Sequence, residues 1–229
     1  MMNFNASIGA LLRLGRSQNV TANNMANVAT PGFKESRTNF SDTGVSIGAN
    51  TSQGGIAVQG KALDVAVNGT GYLVVSTPQG PAYTRSGVMT ANAGGLLSDA
   101  GGHPFAPPVS VPANARAVSV GSNGTVTADV GGQSQSLGQL QLASFAAPGQ
   151  LRNIGGNLLQ ASAGSGPAVT NAPGAGGTGS LAMGALEMSN TDVSRNMVTM
   201  ILDANAFAYN VKAIKVQEQM SQSMLDIKA

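Results

Sequence analysis

From Val193 onward the chain runs about 35 residues without a glycine or proline, and one stripe repeats through it. Val193, Met197, Met200, Ala204, Phe207, Val211 and Ile214 recur at alternating spacings of four and three, the period of a helix face. The stripe then shifts to Val216, Met220, Met224 and Ile227. A helix of that length extends about 50 Å, longer than a small domain is wide. It opens at Ser189-Asn190-Thr191-Asp192, where Ser189 and Asp192 have the spacing of a capping box. Such an element is predicted to be buried against other helices, and the methionines in its stripe read as packing residues rather than a cofactor lining.

The other end of the chain supplies a matching segment. Phe4, Ile8, Leu11, Gly15, Gln18, Ala22, Met25 and Ala29 keep the same spacing, and Leu12 and Leu14 widen the apolar face in its first half. The second half is small and polar, so this helix needs a partner that packs closely. It ends in "NNMANVATPGF", where Asn23, Asn24 and Asn27 precede the breaker pair Pro31-Gly32. Those asparagines read either as bonds to neighbouring backbones or as the end of a helix.

Between the two helices the period changes to two. Leu63, Val65 and Val67 alternate with Asp64, Ala66 and Asn68; Gly69-Thr70-Gly71 then reads as a hairpin turn into Tyr72-Leu73-Val74-Val75. Asn123-Gly124 between Val120 and Val126 carries the signal of a type I′ hairpin. Leu137, Leu140, Leu142 and Phe145 continue the alternation, and residues 60 to 160 read as short strands. "ASAGSGPAVTNAPGAGGTGS" after them has no periodicity and reads as an extended linker, as residues 41 to 60 do more weakly.

Composition excludes several functions. Only 10% of the 229 residues are charged and the net charge is +2, too little to hold a nucleic-acid backbone. A surface so poor in charge is expected where neighbouring subunits cover it, although a monomer built largely of Ala, Gly, Ser and Thr has the same numbers. With no cysteine there are no disulfides, thiolate metal sites or cysteine nucleophiles. The sole histidine, His103, sits in a turn-like Gly-Gly-His-Pro-Phe, and the acids are scattered, so no catalytic residue, metal site or cofactor is expected. Arg85 in "YTRSG" lacks a nucleophile or base beside it and is expected to bond a carbonyl or carboxylate. No run of 18 apolar residues suggests a membrane span, and no basic region precedes the first apolar run as in a cleaved signal.

Three blocks in order resemble the axial proteins of the bacterial flagellum, the rod and hook subunits. "NVTANNMANVATPGFKESR" is similar to that family's N-terminal signature, "LDVAVNGTGYLVV…AYTRSG" to its central block, and "GALEMSNTDVSRNMVTMILDANAFAYNVKAI" to its C-terminal entry into a long helix. The brevity of the chain and "GYLVV" favour the proximal-rod type, while "VPANARAVSVGSNGTV" and "LGQLQLASF…IGGNLLQ" are closer to the distal-rod and hook pattern; the balance falls slightly on the proximal type. The resemblance implies terminal helices paired as an inner domain, helical assembly around a hollow axis with copies of the chain and other rod and hook subunits, and passage through the flagellar type III export apparatus without signal cleavage. The family's export motif, Phe followed at the fourth position by an apolar residue, is not matched, because Gly44 stands four after Phe40 and Val45 five after it.

The expected fold class is thus α+β: an N-terminal helix over 1–32, an arm over 33–60, an all-β domain over 61–160, a Gly/Ala-rich arm over 161–185 and a long helix over 186–229. Phe4, Ile8, Leu11, Asn23, Asn24, Asn27, Val193, Met197, Met200, Phe207, Val211 and Ile214 are the expected helix-seam and inter-subunit residues. The expected function is a structural subunit of the basal-body rod. The alternative is a secreted or surface β-domain binding module whose helices serve only to oligomerise it.

Overall fold

The computed structural model describes residues 2–41 and 44–226, and the chain falls into two compact units. The side chains of Phe4 and Met224, and residue Ile227, lie outside the described residues.

The first unit is helical. It holds α1 (Met2–Ala26), the paired strands β1 (Ser36–Ser41) and β2 (Gly44–Ala49), and α2 (Val193–Asp226). The N-terminal and C-terminal helices are in contact and run antiparallel. Asn24 near the end of α1 meets Asn196 in the first turn of α2, and Ser7 near the start of α1 shares a groove of about 520 Å³ with Tyr209, Val216 and Met220. The cap of α2 is Asp192, whose Oδ1 accepts from Arg195 N at 3.0 Å. The capping-box reading with Ser189 as cap therefore places the start one turn early, because an N-cap side chain reaches only the second or third amide after it.

The second unit is built of β-structure. Its strands are β3 (Ile56–Val58), β4 (Val65–Asn68), β5 (Tyr72–Thr77), β6 (Gly80–Thr84), β7 (Met89–Ala91), β8 (Leu97–Asp99), β9 (Ala115–Val120), β10 (Thr125–Val130), β11 (Gln133–Gln139), β12 (Leu142–Ser144), β13 (Arg152–Gly155), β14 (Leu158–Gln160), β15 (Val169–Asn171), β16 (Ser180–Met183) and β17 (Ala185–Glu187). A six-stranded sheet runs in the order β13-β14-β6-β5-β12-β15, and β11-β10-β9 form a second, three-stranded one. The chain is α+β, helices at the two ends and a β-rich middle.

Leu73, Val75, Leu97, Phe105, Val120, Val126, Leu140 and Leu142 meet in one apolar core with Val65 and Val67 of β4. On β4 Val65, Ala66 and Val67 are all buried, so both faces of the strand are covered as far as Asn68, which is exposed. The segments read as arms are not bare linkers. β16 pairs with β4 and β17 with β3, so residues from both arms enter the β unit. That pairing also corrects the reading of Gly69-Thr70-Gly71 as a hairpin turn: β4 pairs with β16 while β5 pairs with β6 and β12, and the turn passes the chain between sheets.

The Asn123-Gly124 hairpin forms, with β9 antiparallel to β10, but not through a type I′ turn. Gly124 has φ +84° while Asn123 is not left-handed, and Gly124 N donates to Gly121 O at 2.9 Å; the loop is a four-residue turn closed by a left-handed glycine.

Charge is distributed against habit in this unit. Of its ten charged residues Lys34, Glu35, Asp64, Arg85, Asp99 and Glu187 are buried, which leaves Lys61, Arg116, Asp129 and Arg152. Charged side chains are ordinarily the last to be buried and need partners when they are.

Candidate functional site

Two arrangements stand out, one in each unit. In the helical unit the fully buried side chains described on α1 and α2 are polar. Among the described residues, Ser17, Thr21 and Asn24, spaced four and three apart, are the buried ones of α1, and Asn196 and Asp203, seven apart, are those of α2. Asn24 Nδ2 donates to Ser36 O at 2.8 Å and to Asn196 Oδ1 at 3.1 Å, while Ser36 N donates to Asn24 Oδ1 at 2.9 Å. One amide thus ties α1, β1 and α2 together and uses its donor and acceptor at once. Asn196 Nδ2 in turn donates to Asp192 O, while buried Asp203 Oδ2 accepts no hydrogen bond.

This seam explains where the apolar stripes went. The Val193 to Ile214 stripe lies roughly 70° around the helix from Asn196, Asp203 and Asn210. Met197 is 52% exposed and Phe207 42%, Met200 is exposed too, and Val193, Val211 and Ile214 are half-buried. Val198, Leu202, Tyr209, Val216 and Met220 stand exposed on another side of the same helix, Leu202 at 62%. On α1, Leu11 is half-buried while Ile8 and Leu12 are exposed. A helix that keeps apolar side chains exposed on two sides offers them to further packing partners. Of the three asparagines, Asn24 is buried in the seam, Asn23 is exposed, and Asn27 Nδ2 bonds back to Asn23 O at 2.9 Å as the helix ends. The register signal that sequence reasoning missed was the polar spacing itself: Ser17, Thr21 and Asn24 keep a helical period as regular as the apolar one.

In the β unit a charged cluster is buried. Glu187 is 1% exposed and holds two cations, Lys34 Nζ on Oε1 at 2.5 Å and Arg85 Nη1 on Oε2 at 3.2 Å. Gly54 N adds a third donor to Oε1 at 2.9 Å. Arg85 also donates to Gly69 O at 2.8 Å and to Val67 O at 3.3 Å, and its guanidinium lies 5.1 Å over the ring of Tyr72. Arg85 therefore makes both kinds of bond expected of it. Burial pushes the Lys34 ammonium below the ordinary lysine range, and the bond to Glu187 opposes that shift. Burial likewise raises the Tyr72 and Tyr83 phenols. A buried ion cluster of this kind adds little net stability over an apolar one but is costly to break from one side.

Backbone comes unusually close around this cluster. Gly32 adopts φ +69°, and a Cβ there would stand 2.4 Å from Arg85 C, so only glycine lets the Pro31-Gly32 turn lie on the "YTRSG" strand. Gly32 N donates to Glu187 O at 2.6 Å. Lys34, Arg85 and Glu187 come from three blocks far apart in sequence, which the fold brings to one point. His103, by contrast, is part of a turn: Asp99 Oδ1 accepts from Gly101 N and His103 N, and the ring faces the same carboxylate at 3.1 Å. Among the described residues no three His, Cys, Asp or Glu side chains converge as a metal site would require, and no helix is long and apolar enough to cross a membrane.

Both arrangements hold chain segments together and neither presents a nucleophile, base or acid to an open cleft, so they fit a building element. Comparison with known proteins agrees. The family profile described as "Flagella basal body rod protein" matches residues 4–34, "Flagellar hook protein FlgE/F/G D1 domain" residues 66–128, and "Flagellar basal body rod FlgEFG protein C-terminal" residues 182–227. The flagellar basal-body rod protein FlgG of Bacillus subtilis is 36% identical over 243 residues, covering 91% of this chain and 92% of the relative. FlgG of Buchnera aphidicola subsp. Schizaphis graminum is 34% identical over 240 residues, with the same coverage. The hook protein FlgE of Escherichia coli matches 48% of this chain at 36% identity but only 27% of its own length. On these matches, which span both terminal helices and the β unit between them, the chain belongs to the flagellar rod and hook family of FlgE, FlgF and FlgG, a family of structural subunits.

Proposed function

We propose that the chain is a FlgG-like subunit of the flagellar basal-body rod, assembling helically with copies of itself and with other rod and hook subunits into the hollow shaft that carries torque from motor to hook. The observation that supports this is the helix pair. Asn24 and Asn196 join its internal seam by a hydrogen bond, whereas Met197, Met200, Phe207, Leu202 and Val216 keep apolar surface exposed for neighbouring chains. Contacts between different faces of successive copies do not close on themselves and so propagate. Full-length matches to FlgG favour the distal-rod type and replace the slight preference for the proximal type drawn from the brevity of the chain and "GYLVV". On this reading the subunit reaches the periplasm-spanning rod through the flagellar export apparatus without a cleaved signal.

The test is location and assembly state. Cryo-electron microscopy of intact basal bodies is expected to find the chain in the helical stack of the distal rod, and concentrated purified protein is expected to form open-ended stacks. A discrete oligomer at every concentration, together with absence from the rod, overturns the proposal and favours a binding module.

A further inference from the structure

The chain passes between the two units four times, after Asn27, Glu35, Gly48 and Asn190. Inside the β unit, residues close to three of these crossings are bonded to one another. Glu35 N donates to Asn190 Oδ1 at 2.7 Å, and Asn50 N donates to Glu35 O at 2.7 Å. Asn190 Nδ2 returns to Asn50 O and Ser52 O, both at 2.9 Å. Lys34 Nζ reaches Ser52 O at 2.7 Å as well as Glu187, whose carboxylate also takes Gly54 N. Asn157 Nδ2 fixes Pro31 O at 2.8 Å, and Arg85 attaches the cluster to β4 and β6 through Val67 O, Gly69 O and its own strand end.

We propose that this cluster is a single cooperative node that fastens segments 28–35, 49–55 and 187–190 to the β unit together, so that force arriving along any one of them is shared by all. Its value to the molecule rests on the rod reading above, in which the chain carries torque. The physical basis does not. Glu187 and Asn190 each bond both of the other segments, and Lys34 Nζ to Ser52 O and Asn50 N to Glu35 O join those two to each other, so no segment can leave without stranding buried donors or an unpaired buried charge. Opening is therefore expected in one step, as a unit separate from the apolar core.

Hydrogen exchange on the free full-length chain tests this. In Glu187→Gln, which keeps the shape and removes the charge, backbone amides in 31–36, 50–55 and 187–191 exchange faster together by about a hundredfold, while those of β5 and β12 keep their wild-type rates. Asn190→Ala, which touches no charge, speeds the same three segments together by about tenfold. Acceleration confined to one segment, acceleration that includes the core strands, or no acceleration in either variant overturns the node. Absence of the chain from basal bodies overturns the rod reading instead and leaves the exchange result intact, so the two failures are distinguishable.

Discussion

Asn24→Ala is expected to undo the helical unit and leave the β unit intact. Asn24 is 2% exposed, and its amide makes three hydrogen bonds, to Ser36 O, to Asn196 Oδ1 and from Ser36 N. Each bond contributes about 0.5–1.5 kcal/mol net, and truncation removes the amide acceptor of Ser36 N and the Asn24 donor to Ser36 O and Asn196 Oδ1. The loss is roughly 3 kcal/mol, with little apolar burial at this seam to offset it. Both helices, 25 and 34 residues long, should respond, because the amide joins them. Far-UV circular dichroism of the free chain against urea should show the helical signal melting earlier, with the near-UV signal of Tyr72 and Tyr83 unmoved. Asn24→Asp is a sharper control: its second oxygen faces Ser36 O and Asn196 Oδ1 with no proton to donate at neutral pH, so it should lose at least as much and recover partly in acid. A helical transition within about 0.5 kcal/mol of wild type in Asn24→Ala would refute the reasoning, since the seam would then owe its stability to something other than this amide.

Three further outcomes are expected. Gly87→Ala places a Cβ 1.5 Å from Val65 O and displaces β4 from its bond with Gly87 O, so denaturant unfolding of the β unit should lose about 3 kcal/mol. Leu202→Gln combined with Met220→Gln removes apolar side chains that are both 62% exposed, so free-chain stability should stay within about 1 kcal/mol while open-ended assembly, read by sedimentation, is lost. Ultraviolet titration should find Tyr72 and Tyr83 ionising above the ordinary phenol range, chiefly through burial. Because the folded state holds those protons more tightly than the unfolded chain does, their contribution is complete below about pH 10 and is lost as pH rises through the folded values; Lys34, shifted down by burial, works in the opposite sense.

Much of the architecture was readable because it rests on period and on breakers. The α2 stripe and the absence of Gly and Pro after Val193 mark the long helix, and the β-rich middle follows from alternation around Val65, Val67 and Tyr72. What periodicity could not show was which helical face is used at home. An apolar stripe announces burial somewhere, but Asn24 and Asn196 show that the intramolecular face is the polar one, because small hydrogen-bonding side chains let α1 and α2 approach and fix their register. Strand pairing was the other blind spot. β16 completes β4 across more than a hundred residues, and no local signal in "GTGSLAM" specifies that partner. The charged node was hidden for the same reason, since Lys34, Arg85 and Glu187 each look like an ordinary surface charge until the fold collects them.

The sparse exposed charge of the β unit has a consequence for its surroundings. With Lys61, Arg116, Asp129 and Arg152 as the charges left after burial of the other six, there is little for a counterion atmosphere to screen at any ionic strength. Whatever lies against this surface is met by amides, hydroxyls and methyl groups, whose interactions vary little with dissolved salt.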